Sequence, residues 1–213
     1  MTTREKLLHA TAGLLADQGL AGVSARSIAA RAGVNQALVF YHFGTVSDLL
    51  EAAVRRSVDL AVASYRDRFS DVQSVGELLT LGRDLHRTER RLGNVAQMAQ
   101  VMAGAQSDEA LARAGQYAMQ QWSDQIEGVL VRLLPGSPLD GLVPPAGLAR
   151  AVAASAIGLE LYAGVDDAGT AQALGALDAM ASLVQVIDGL GPVTTRAVRG
   201  RVRKATGKPV NPR

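Results

Sequence analysis

The sequence predicts an all-α protein, and three observations carry that reading. Apolar residues recur at three- and four-residue steps through almost every informative segment, which is the period of an amphipathic helix. No stretch shows the sustained apolar and polar alternation, bounded by hairpin turns, of a half-buried strand. Ser, Asn and Asp sit where helices would begin and Gly where they would end.

Leu7, Leu8, Thr11, Leu14, Leu15 and Gln18 share one face of a first helix over residues 3–18, stopped at Gly19. Ser24 suits the N-cap of a second helix running to Ala32, because its hydroxyl can satisfy an orphan backbone N–H. Gly33 ends that helix, and Asn35 can cap a third, short one through about Tyr41 before Gly44 breaks the pattern. Thr45 or Ser47 opens a fourth helix through Leu49, Leu50, Ala53, Ser57, Leu60, Ala61 and Ser64 to about Phe69. That length can connect a small head to a larger body.

Helical patterns resume over 74–103, with a break near Arg87 to Gly93, and again over 107–134. The run from Pro135 to Pro145 is a loop, and Pro144 and Pro145 can start the next helix, to about Ala163. Asp166 or Asp167 can cap a last helix from Ala168 to about Gly189. The expected division is a head at 1–47, a body at 48–192 and a basic tail at 193–213.

Charge follows the same division. Net charge is +2 overall, but residues 1–47 carry +2, residues 193–213 carry seven Lys or Arg and no acid, and the middle is therefore −7. Basic ends around an acidic body suggest that the ends face a polyanion. Composition alone is equally consistent with a solvated tail. The chain has no cysteine, so disulfides, thiolate zinc sites and cysteine nucleophiles are excluded. His9, His42 and His86 do not cluster, so no metal and no cofactor are expected.

The first residues lack a signal core, and residues 146–163 are interrupted by Arg150, Ser155 and Glu160. A cytoplasmic protein without a membrane span is expected, with that segment as a buried helix. Gly22-Val23-Ser24-Ala25-Arg26 lacks the last glycine of a nucleophile elbow, and Gly207-Lys208 has no glycine five residues before it. Neither makes an active site, and no enzyme is expected.

The most informative stretch is Ser24 to Phe43, SARSIAARAGVNQALVFYHF. Ala29 is followed four residues later by Gly33 and six after that by Val39. A small residue allows close helix approach, a glycine allows the turn, and an apolar residue packs the second helix back. The pattern S24-x-x-x-I28-A29-x-x-A32-G33-V34, then V39-F40-Y41-H42-F43, resembles the tetracycline-repressor (TetR) family of bacterial transcription regulators. The resemblance covers about a quarter of the chain. It implies a dimer with N-terminal helix-turn-helix heads that bind a double-stranded DNA operator, and bodies that bind a small effector.

Carried over by position, the resemblance places Asn35, Gln36, Ala37 and Leu38 at the start of the recognition helix, facing the major groove. Asn and Gln can pair bidentately with adenine, and Ala or Leu can touch a thymine methyl. Tyr41 and His42 would bond phosphate oxygens. Ser24 would hold a phosphate at the second helix's N-terminus, with Arg26 on a nearby surface. Phe40 stands where the family commonly has tyrosine and Val46 where a lysine usually follows, so two phosphate contacts are missing. Arg4, Lys6, Arg26 and Arg31 could compensate, as could the tail through Arg196, Arg199, Arg201, Arg203 and Lys204. Phe40 and Phe43 themselves read as core residues.

In the body, Met98, Met102, Tyr117, Met119, Trp122 and Ile126 suit either a ligand-free core or, with the resemblance, a pocket for a mostly apolar effector. Small residues at Ala151, Ala154, Ala156 and Gly158 permit close helix approach. With Leu174, Leu177, Met180, Val184 and Ile187 they could pack on the body or pair with a second copy in a homodimer. The resulting expectation is a ligand-responsive dimeric repressor released from its operator by the effector. A helical protein-interaction scaffold is the alternative, but it leaves the turn spacing and basic ends unexplained.

Overall fold

The computed structural model describes residues 1–135, 137, 139–141 and 143–188, together with 197, 200 and 201; for 180, 181, 183–185, 187 and 188 it describes the backbone alone. The rest of the tail, and the side chains of Met180, Val184 and Ile187, therefore lie outside the described residues. Among the described residues there are nine α-helices, one short 3-10 turn and no strand.

The head is α1 (Thr3–Gln18), a 3-10 turn (Leu20–Gly22), α2 (Ala25–Ala32) and α3 (Ala37–Phe43). Thr2 and Glu5 form a capping box at the start of α1, and Gly19 ends it at φ 67°. Leu7, Leu8, Leu14, Ile28, Ala29 and Val39 bury themselves together with Leu49 and Ala53, while Gln18 turns outward. The third helix starts one residue and ends two residues later than its expected bounds.

Helix α4 (Val46–Asp71) is the rod between head and body. Thr45 caps it by accepting from the Asp48 N–H at 3.0 Å. Its first turns belong to the head core, and the next to a body cluster with Val101, Leu111, Ala114 and Ala118. The buried stripe runs through Leu50, Val54, Val58, Val62, Tyr65 and Phe69. Ser57, Leu60 and Ser64 lie outward, with Leu60 64% exposed. The valines fill the groove against α7 (Glu109–Leu133), which is packed along the rod.

The remaining body helices are α5 (Val75–Arg91), α6 (Asn94–Gly104), α8 (Pro145–Ala163) and α9 (Asp167–Asp188). The break after α5 is at Leu92 and Gly93, where Gly93 takes φ 77°. Asp166 caps α9 by accepting from the Gly169 N–H at 2.8 Å. Helix α8 departs from the buried helix expected for this segment: only Ala149 and Ala153 are buried. It is long and apolar enough to cross a membrane by length and composition, yet packs on α6 and α7 and pairs Glu160 with Arg90 of α5 at 3.2 Å.

A polar strut joins the rod to α7. Arg113 reaches Glu51 at 2.8 Å and Asp48 at 3.4 Å. Tyr117 donates to Asp59 at 2.5 Å, with the Arg55 guanidinium 4.5 Å above its ring. Ser47 donates to Asp108 at 2.8 Å. Asp108 also caps α7 through the Leu111 N–H, and these two bonds, the backbone one larger, hold its carboxyl below the usual range.

Candidate nucleic-acid interface

One glycine and two side-chain caps position the head's outer helix. The Ser24 hydroxyl accepts from the Ser27 N–H at 3.1 Å, and Ser27 returns the bond to the Ser24 N–H. Gly33, at φ 66°, closes α2, and the Val34 N–H donates to the Ala29 carbonyl at 3.0 Å. The turn works because Ala29 and Val39 are both buried, bringing α2 and α3 together at small residues.

Asn35 begins α3 through its side chain, whose Oδ1 accepts from the Ala37 N–H at 2.8 Å. One carboxamide group is therefore committed to the backbone. Gln36 and Ala37 are exposed and Leu38 is half-buried. With Val39 inward, a helix of 3.6 residues per turn turns Ala37, Phe40 and Tyr41 away from the core, while Gln36 is exposed at the helix's N-terminal end.

Phe40 corrects the expectation that it is core: its side chain is 48% exposed, beside Tyr41 at 81%. Val39 and Phe43 are the i, i+4 pair that faces the core, and Phe40 lies 100° away. That signal was available from spacing, although the aromatic character of the residue masked it. Phe43 packs against the head core as expected. The Arg4 guanidinium lies 5.0 Å from its ring centroid, and Tyr41 and His42 meet edge to face at 5.0 Å.

Val46 is partly buried against the head core rather than directed outward. Arg31 pairs with Asp17 at 2.7 Å and lies across Gly13, where an added Cβ would come within 2.6 Å of the guanidinium. Arg26, Lys6 and Arg4 are exposed around the helix. The outward surface thus combines hydrogen-bonding groups and apolar surface suited to base edges with cations suited to phosphates.

The match to the family model for bacterial regulatory proteins of the tetR family covers residues 7–53, which contain α2, the turn, α3 and the first turns of α4. The head is a TetR-family DNA-binding domain. An uncharacterized HTH-type transcriptional regulator of Mycobacterium tuberculosis is 29% identical over 139 residues, 63% of this chain and 69% of that protein. The HTH-type transcriptional regulator BetI 1 of Chromohalobacter salexigens is 39% identical over 75 residues, 35% of this chain and 37% of its own. In three dimensions, a TetR-family regulator from Rhodococcus superposes with a TM-score of 0.68 at 24% identity, covering 87% of this chain and 98% of that one. DNA binding is the role of this head, the part of the chain that carries the family pattern.

The body residues singled out from the sequence fall into adjoining clusters. Met98, Tyr117 and Trp122 pack on the cluster around Val58 and Val101. Trp122 is shared with a second cluster around Tyr65 and Phe69, which Ile126 also joins. Met102 abuts Gly115 through its sulfur, and Met119 is half-buried. An open groove of about 740 Å³ lies elsewhere, between the end of α4 and the start of α5, lined by Arg68, Val72, Glu77 and Asp84 among others. On α8, Ala151, Ala154 and Gly158 face outward, and on α9 Leu177 is exposed while Leu174 is half-buried.

The sequence reading missed Gln100. It lies on α6, and its Oε1 accepts from the Leu20 N–H at 3.0 Å. This contact joins the body directly to the head, and no local pattern signals a pairing across eighty residues.

Proposed function

We propose that the chain acts in the cytoplasm as a dimeric, ligand-responsive repressor, with the head at 1–47, the body at 48–192 and a basic tail at 193–213. Residues Gln36, Ala37, Leu38 and Tyr41 read the operator, His42, Ser24 and Arg26 fix register on phosphates, and Asn35 sets the start of the reading helix.

The observation that carries the dimer is the outer face of α8. Ala151, Ala154, Gly158, Leu161 and Tyr162 all lie exposed along it on a single chain, with Val165 exposed just past its end. A long apolar helix with only two fully buried residues calls for a cover, since contiguous exposed apolar surface of this kind marks an interaction site. Leu177 on the neighbouring α9 extends the patch. A second copy covers it about a two-fold axis, and that symmetry supplies two recognition helices.

Each head entering the major groove on one side of the duplex requires half-sites about 34–36 Å apart, or multiples of that. An effector in the body, among Met98, Met102, Tyr117, Met119, Trp122 and Ile126, alters this spacing through α4 and α6. By linkage, operator weakens effector binding by the same factor.

The test is fluorescence anisotropy against DNA from upstream of the chain's own gene, with random DNA as control and several salt concentrations. Selective binding, abolished when about half a helical turn is inserted between half-sites, is the expected result. Equal affinity for both DNAs, or indifference to the insertion, overturns the reading.

A further inference from the structure

Helices α5 and α9 run antiparallel. Arg90 of α5 pairs with Asp167 at the start of α9 at 3.3 Å, and Arg83, two turns earlier, pairs with Asp178 at 3.0 Å. Asp178 lies ten residues before Asp188, where α9 ends, and Val75, where α5 begins, lies eight before Arg83. At 1.5 Å per residue those steps are about 15 Å and about 12 Å. Helix α9 therefore delivers the chain to the end of α5 at which the groove between α4 and α5 opens.

That groove, of about 740 Å³, carries three carboxylates, Asp71, Glu77 and Asp84, against one guanidinium, Arg68. Asp84 is held between Arg68 and Arg87, each at 3.6 Å. Glu77 accepts from the Gln73 N–H at 2.8 Å through one oxygen. Neither Glu77 nor Asp71 has a cation within ion-pair distance among the described residues. Arg132 of α7 turns its guanidinium to the Phe69 and Ser70 carbonyls, at 2.9 and 3.4 Å. Two exposed carboxylates thus stand without a counter-ion above the buried Val72 and Leu81.

Solvated carboxylates are ordinary on a surface, and these two are set apart by the chain that follows α9. Residues 193–213 hold seven Lys or Arg and no acid. Arg201 is exposed, and the segment after it, VRKATGKPVNPR, contributes Arg203, Lys204, Lys208 and Arg213. Twelve residues can span about 40 Å when extended, so reach does not limit a return to the groove.

We propose that residues 202–213 dock in the α4–α5 groove of their own chain, with their basic side chains against Asp71 and Glu77. This goes beyond the operator and effector readings and depends on neither. The basic tail then finds its polyanion in the acidic body, and while docked its cations face those carboxylates instead of DNA phosphates. Single exposed ion pairs contribute little, so the docking needs several at once and weakens as salt screens them.

The chain has no cysteine, so Thr206→Cys gives the full-length protein a single attachment point for a nitroxide. Amide signals of the isotope-labelled protein are compared with the nitroxide oxidised and reduced. At low salt the signals of Val75 to Thr80 are expected to weaken at least about twofold, and to recover at about 1 M salt, where the Debye length is about 3 Å. They should also recover in Asp71→Asn/Glu77→Gln, which removes the two unpaired charges and keeps an acceptor for the Gln73 N–H. No loss over 75–80, a loss spread evenly over the body, or a loss that persists in the variant or at high salt overturns the proposal. Nitroxide-bearing protein without isotope, mixed with isotope-labelled protein without cysteine, should cause no loss over 75–80. A loss there assigns the groove to the tail of a second copy and overturns docking within one chain. If the variant does not fold, the salt series of the Thr206→Cys protein decides alone.

Discussion

Gln100 of α6 and Leu20 of the 3-10 turn are joined by a 3.0 Å hydrogen bond, side-chain oxygen to backbone N–H. A Cβ added at Gly19 would lie 2.4 Å from the same oxygen, so the close approach depends on glycine there. The bond offers a body movement a direct route into the head, at the junction of α1 and α2. Gln100→Ala is expected to raise amide exchange at Leu20 about fivefold, the equivalent of a ~1 kcal/mol bond. Gln100→Glu keeps the acceptor and should keep the protection. Exchange that is the same in all three proteins would remove this contact from any coupling route.

Asn35 separates capping from base reading. Its Oδ1 is bound to the Ala37 N–H, so Asn35→Ala should lose about 1 kcal/mol of stability, as caps do. Asn35→Asp keeps the acceptor and should melt near the parent temperature, while its added negative charge weakens operator binding. Gln36→Ala, by contrast, should leave stability alone and relax base preference by about 1–3 kcal/mol at one position. Anisotropy with single-base operator variants, beside thermal melts, separates the two residues.

Gly33 holds φ 66°, and an added Cβ would meet no atom within 4 Å. Gly33→Ala therefore tests backbone strain without a clash, and a loss of about 1–2 kcal/mol is expected in urea unfolding. Gly33→Asn should lose less, because asparagine tolerates the left-handed region better. Equal stability of alanine and glycine here would contradict the turn geometry.

Tyr65 carries the pH dependence. Burial first, then its bond to Glu89 and that residue's charge, push the phenol up from 10.0 to about 12. The folded state thus favours the protonated phenol. Its stabilising contribution is whole below pH 10 and is lost as pH rises through about 12. Tyr65→Phe should be less stable at neutral pH and should lack that alkaline component, read as the difference between the two proteins' unfolding curves at pH 8 to 12. Curves that stay parallel across that range would refute the assignment.

The head was largely legible because its rules are local. Ser24, Gly33 and Gly44 act on groups within a few residues, and each has the role that its chemistry indicates. The same short range explains the errors. Helical placement suggests Phe40 as core together with Phe43, but Val39 and Phe43 already fill the inward face of a seven-residue helix. On the 26-residue α4 the sequence marks a helix without marking its inner face, and packing against α7 selects the valine stripe.

What the sequence by itself determined is helix content, most helix ends and the head's turn, all consequences of backbone capping and a 3.6-residue period. Only the tertiary structure decided that Glu89 meets Tyr65 and Asn94, that Gln100 meets Leu20, and that α8 presents its small residues outward. Those outcomes depend on how whole helices are rotated and stacked. Packing of distant apolar stripes sets that rotation, and no window of neighbouring residues contains it.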